Sequence, residues 1–207
     1  MGGGLYKFVF VFGLIFSGLD PATLYAQSNG NKIALVIGNT EYTNLPRLKN
    51  ATKDALSVAR ALSDKGFTVF FASDVDAAKL KETITFVSAQ AVDADQIVIY
   101  YAGHNEIRNG TSHLIPVNGS RGSKSTGTQS LSIPDLLNFF DIPFAQKAII
   151  LDTCLQDSPE AYQTGTQTLS LPKALGLETL LVFATSFGQA AYDGTGNHSV
   201  FTGALLD

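Results

Sequence analysis

Five short apolar runs, separated by helical patterns, constrain the fold of this chain more than any other feature. Residues 32–38, 96–101 and 147–152 are nearly continuous in apolar side chains, without the alternation of a half-exposed strand. Such runs form strands buried on both faces. Residues 67–71 and 179–184 read as two further strands. Between them, Ala51, Ala55, Val58, Ala59 and Leu62 recur at helical spacing, and Gly66 stands where a C-terminal cap belongs. A second helix, capped by Asp74 or Asp76, runs to about Ala91 with Leu80, Ile84 and Val87 on one face. Ser132 caps a third, with Pro134 in its first turn, ending near Phe140. Residues 199–206 begin a last helix. Residues 39–49, 102–130 and 155–173 read as polar loops, except for an extended piece at 113–117 whose Pro116 suits a sheet edge.

Strands alternating with helices predict an α/β fold with a mostly parallel central sheet covered on both faces. Ligands of such sheets bind beyond the carboxyl ends of the strands. Two residues with chemistry stand there: His104 after the third run, and Cys154 after the fourth. Cys154 is the only cysteine, so no internal disulfide can form. An imidazole beside a thiol favours the thiolate and can later protonate a leaving group. One cysteine and three scattered histidines do not offer the four ligands of a structural zinc. The loop after the first strand has neither a G-x-G-x-x-G nor a Walker pattern, which argues against nucleotide binding.

The 207 residues, 45% hydrophobic and 15% charged, suffice for one core and one domain. A net charge of −4 with no basic run argues against nucleic acid as a partner. Residues 1–26 read as a signal peptide: Lys7, an apolar stretch at 8–19, and a cleavage point after Ala26. The stretch falls short of the roughly 20 apolar residues that span a bilayer. The expected product is an exported chain, periplasmic or secreted, with no stable membrane span and with residues 27–207 as its domain.

Four segments carry a specific resemblance: Ile33-Ala-Leu-Val-Ile-Gly-Asn-Thr-Glu-Tyr42, Leu48-Lys-Asn-Ala-Thr-Lys-Asp-Ala55, Ile99-Tyr-Tyr-Ala-Gly-His104 and Ile150-Leu-Asp-Thr-Cys154. A weaker fifth is Phe183-Ala-Thr-Ser-Phe-Gly-Gln-Ala-Ala-Tyr-Asp193 with Phe201-Thr-Gly-Ala-Leu-Leu206. In order and spacing, including a histidine about fifty residues before the cysteine, they resemble the caspase-like peptidases, in particular the bacterial metacaspase-like members. The resemblance implies a three-layer α/β/α sandwich and a cysteine endopeptidase. Cys154 would be the nucleophile and His104 its acid/base partner. The backbone N–H groups of Cys154 and Asn105 would form the oxyanion hole. Asp54 and Asp152 would line an acidic pocket selecting Arg or Lys before the cleaved bond. Gly188, Gln189 and Asp193 would line the groove for a protein or peptide substrate.

Some relatives are activated by calcium, though no acidic loop here has an EF-hand pattern. The family usually has glycine where this chain has Asn105, the residue next most tolerant of positive φ. Relatives usually continue past the position of Asp207 with another helix and strand, so the C-terminal part of the domain is expected to be truncated. They are often cut in the loop matching residues 156–172. A binding module, a caspase-like domain with weak or no turnover that holds peptides or proteins, is the alternative that Asn105 and the missing elements suggest.

Overall fold

The structure, a computed structural model, describes residues 6–7, 30–122, 130–153, 178–185 and 196–207. Six strands form the main sheet: β1 (Tyr6–Lys7), β2 (Lys32–Gly38), β3 (Thr68–Ser73), β4 (Gln96–Ala102), β8 (Gln146–Asp152) and β9 (Thr179–Phe183), in the order β1-β3-β2-β4-β8-β9. All neighbouring pairs are parallel except β1 with β3. The expected mostly parallel sheet is therefore present, and each of the five predicted strands lies within two residues of its observed bounds.

Alternation along the strands sends side chains to two cores. Ile33, Leu35, Ile37, Ile97, Ile99 and Tyr101 meet Leu80, Ile84 and Val87 of α2 (Ala77–Gln90) and Leu136 of α3 (Ile133–Phe139). On the other face, Ala34, Val36, Tyr100 and Ala102 meet Ala51, Ala55, Val58 and Ala59 of α1 (Ala51–Asp64), with Leu206 of α4 (Val200–Leu206) at the margin. Two helices on each side of one sheet make the three-layer sandwich. The α1 face is built from small residues because the helix lies close to the sheet. A Cβ on Gly38 would stand 2.6 Å from the Ala51 carbonyl oxygen.

The caps explain the helix starts. Asp76, not Asp74, caps α2 by accepting from the Lys79 N–H. Ser132 and Ser199 cap α3 and α4 in the same way. Asp74 instead has a positive φ, and its carboxylate accepts the Thr40 and Glu41 N–H groups, which pins the loop after β2.

The reading of 102–130 as mostly loop needs correction. Residues 105–114 form a hairpin, β5 (Asn105–Arg108) and β6 (Thr111–Leu114), and β6 pairs with β7 (Leu131–Ser132) in a second, antiparallel sheet. The turn is Asn109-Gly110, both at positive φ. That dipeptide is the strongest short hairpin signal there is, because a two-residue type I′ turn needs two positive φ angles. The extended piece accordingly begins earlier than expected, and Pro116 lies beyond its strand.

Two outcomes follow from this packing. Gly38→Ala should destabilise the chain by roughly 1–3 kcal/mol, since backbone cannot yield as a side chain can; the urea midpoint measures it. The second concerns His113, half-buried on β6, whose Nδ1 is buried without a hydrogen-bond partner among the described residues. Burial lowers its pKa below 6.5, helped by Arg108 and opposed by Glu106 and Asp135. A depressed histidine contributes stability that is present above its unfolded pKa and lost as pH falls through the folded one. His113→Gln should therefore flatten the loss of stability on acidification below 6.5 and leave its value at neutral pH little changed. Equal slopes in both proteins would contradict this.

Candidate active site

The two central strands set the site. β4 and β8 are parallel neighbours whose register joins residues fifty positions apart, from Gln96 with Gln146 to Ala102 with Asp152. His104 follows the end of β4 by two residues, and the chain leaves β8 at Asp152-Thr153 toward Cys154. Cys154 itself, with Gly188, Gln189 and Asp193 of the expected groove and the loop 156–172, lies outside the described residues.

His104 is buried, 6% exposed, and held from several sides. Its backbone N–H donates to the Tyr42 hydroxyl at 2.8 Å. Tyr42 and Tyr101 both donate to the Ile115 carbonyl, and the Tyr42 ring meets the imidazole edge-on at 4.5 Å. Burial pushes the Tyr42 hydroxyl up to about 12, so it remains a proton donor in this array. Gly103 is required here, because a Cβ would stand 2.7 Å from both tyrosine hydroxyls. The imidazole Nε2 lies 2.8 Å from the Pro46 carbonyl oxygen. A carbonyl only accepts, so Nε2 carries the proton and Nδ1 is the basic nitrogen. The Pro46 carbonyl is delivered by the loop after β2, which is anchored at Asn39 by its bonds to Ala102, Val75 and Tyr101.

Asn105 does not carry the backbone strain expected of a residue standing in for glycine. It begins β5 at negative φ, fully buried, and its amide nitrogen donates to the Ser112 hydroxyl at 2.7 Å. The Ile115 N–H donates to the His104 carbonyl. Antiparallel alternation therefore puts Asn105 at a non-hydrogen-bonded position, with its own N–H pointing away from β6.

The two acids of the expected pocket come together, but each is enclosed. Asp54, in the first turn of α1, is 1% exposed. Its Oδ1 meets His198 Nδ1 at 2.7 Å and its Oδ2 accepts the Ser199 N–H at 3.1 Å. Burial raises its pKa above 3.8, while Ser199 and His198 draw it back down. Asp152 is 7% exposed, and its Oδ2 accepts from the hydroxyls of Ser199 at 2.6 Å, Thr202 at 2.7 Å and Tyr100 at 3.2 Å. Its Oδ1 has no hydrogen-bond partner among the described residues. Burial beside this carboxylate drives the Tyr100 hydroxyl far above its ordinary 10. The N-terminus of α4 thus closes over both acids.

The link of His198 to Asp54 was not read from the sequence; a partner 144 residues away leaves no local pattern. Among the described residues no group of three or more His, Cys, Asp or Glu is arranged to hold a metal ion. No helix among them is long and apolar enough to cross a membrane.

A family model described as Caspase domain matches residues 31–207. The chain belongs to the caspase domain family. It shares the protease-like fold of that family, and the four segments around β2, α1, His104 and Cys154 all lie inside the match. No curated protein matches the chain at a significant level.

The carboxylate cluster predicts its own energetics. Thr202→Val keeps the shape of a fully buried side chain but removes a donor from Asp152 and a partner from Tyr100. It should cost about 1–3 kcal/mol, the penalty for leaving buried polar groups short of a bond. Thr202→Ser, which keeps the hydroxyl, should recover most of that loss in the same denaturation experiment.

Proposed function

We propose that this caspase-family domain binds peptide or protein ligands and turns them over weakly. One observation carries the reading: the acids suited to a basic side chain are already engaged by His198 and the start of α4, Asp54 through both oxygens and Asp152 through one. A ligand's Arg or Lys must compete with these internal donors or use Asp152 Oδ1 alone. Arg pairs with a carboxylate best through two parallel bonds, and both Asp54 oxygens and Asp152 Oδ2 already accept from the chain's own donors.

A second reading has its own support. The fifty-residue register of β4 and β8, and a His104 tautomer that leaves Nδ1 basic, suit a Cys154–His104 endopeptidase. In it the Cys154 thiolate attacks the scissile carbonyl and His104 protonates the leaving amine. Water then hydrolyses the thioester. The N–H groups of Cys154 and Asn105 would steady the oxyanion. Asp152 and Asp54 would favour Arg or Lys, and Gly188, Gln189 and Asp193 would hold the substrate backbone. The leader at 1–26 would send either form of the protein out of the cytoplasm.

Reporter peptides with Arg, Lys or Asp at the cleavage position separate the two, with and without calcium, with Cys154→Ala as control and binding followed in parallel. The expected result is binding that Cys154→Ala leaves within about twofold, with slow turnover at best, since removing a small thiol need not disturb a groove built on backbone pairing. Rapid turnover after Arg or Lys that disappears in Cys154→Ala would establish the endopeptidase instead. Turnover after Asp would remove Asp54 and Asp152 from the specificity pocket.

A further inference from the structure

One contact at His104 belongs to neither reading. Arg121 Nη2 lies 3.2 Å from His104 Nδ1. A guanidinium has five donors and no acceptor, so Nδ1 is the acceptor in this bond. Nε2 is already the donor to Pro46. A neutral imidazole has one lone pair in its ring plane, and Arg121 is placed to donate to it.

The arginine is placed there by a built anchor. The Gly122 N–H donates to Glu106 Oε2 at 3.0 Å. Glu106 is fully buried, and its other oxygen pairs with Arg108. The backbone beside Arg121 is thus tied to the β5 strand that follows His104. The guanidinium itself is held less well: Arg121 is half-buried, and its Nε is buried with no hydrogen-bond partner among the described residues. A well-anchored loop that carries an incompletely satisfied cation has the character of a contact made to be exchanged.

We infer that Arg121 is an intramolecular inhibitor of His104, holding the lone pair that thiol activation requires. The inference rests on the pairing of Cys154 with His104. In the activating step the Cys154 S–H bond breaks, its proton goes to Nδ1, and thiolate and imidazolium result. While Arg121 donates to Nδ1 this transfer has no acceptor, and a second positive charge there would face the guanidinium directly. The chain as folded is therefore latent. Release needs an anionic group, such as a carboxylate on the ligand, to take the guanidinium away. Such latency would lower turnover by a cause separate from the enclosed acids.

The test is the rate of Cys154 alkylation by iodoacetamide near neutral pH. This neutral probe forms one S–C bond and releases iodide, and it reports thiolate without needing a substrate. Wild type, Arg121→Gln, His104→Ala and the double variant are compared, each with its fold checked by circular dichroism. Arg121→Gln should react on the order of tenfold faster than wild type, the scale set by freeing one charge-assisted hydrogen bond. The gain should vanish in the double variant. Should Arg121→Gln fail to fold, Arg121→Lys replaces it. Lysine keeps the charge but loses the planar fork, and a smaller gain is expected. An unchanged or slower rate in the arginine variant, with His104→Ala still slowing the thiol, overturns the inhibitor alone. A rate indifferent to His104 in both backgrounds overturns the Cys154–His104 pairing and the inhibitor with it. A gain that survives without His104 shows that Arg121 acts on the thiol directly, and also overturns the inference.

Discussion

Seven backbone pairs, from Gln96–Gln146 to Ala102–Asp152, join the two central strands, and the rest of the molecule depends on them. Parallel pairing is exacting: a slip of one residue would turn every side chain to the opposite face. Here the register brings the ends of β4 and β8 level, with the Gly103 N–H reaching the Asp152 carbonyl at 3.4 Å. Ala102 and Asp152, fifty positions apart in the chain, therefore end their strands side by side. The flanking strands β2 and β9 extend this pair but do not set it.

The same strand then divides its work between the two faces. Tyr100 and Tyr101 are adjacent and both fully buried, and they point opposite ways. Tyr101 reaches the network of Tyr42, Ile115 and His104, which orients the imidazole. Tyr100 reaches Asp152 and Thr202, which fasten α4. Removing one partner from a buried charge costs far more than the pair contributes in place. The hydroxyls of Tyr100, Ser199 and Thr202 act first to make a buried Asp152 tolerable. Any role in recognition is superimposed on that requirement.

How much of this was legible in the sequence follows from how far each interaction reaches. The strands were, because β2, β4 and β8 carry apolar runs that no half-exposed strand would tolerate. So were the four helices α1 to α4, whose caps and apolar spacing are local. Asn109-Gly110 was also a local signal, and the β5–β6 hairpin was overlooked only because its flanking residues, such as Glu106, Arg108 and His113, are polar. Glu106 pairs with Arg108 and accepts the Gly122 N–H, whereas His113 Nδ1 has no hydrogen-bond partner among the described residues. The bonds of Asp54 to His198 and of Arg121 to His104 had no local signature. Each joins residues brought together only after the sheet and its crossovers have formed. The backbone at Asn105 was not legible for a related reason. A glycine in a family pattern suggests positive φ, but here the following hairpin fixes the residue in extended backbone, where an asparagine side chain finds Ser112.

The enclosed acids and the occupied histidine have a common origin in the fold. Asp152 and His104 sit at strand ends and Asp54 in the first turn of α1, where side chains must be satisfied by loops and helix starts rather than by the sheet ladder. The start of α4 supplies donors to Asp54 and Asp152, while the loop after β6 and the loop after β2 supply Arg121 and Pro46 to His104. A buried polar group left without such partners would destabilise the chain, and here the chain's own residues supply them. Access to either centre then requires exchange of an internal donor for an external one. For Asp152 the internal donors are three neutral hydroxyls that also anchor a helix, and displacing them would loosen α4. At His104 Nδ1 an internal donor is the Arg121 guanidinium, on a loop tied to Glu106 of β5 through the Gly122 N–H.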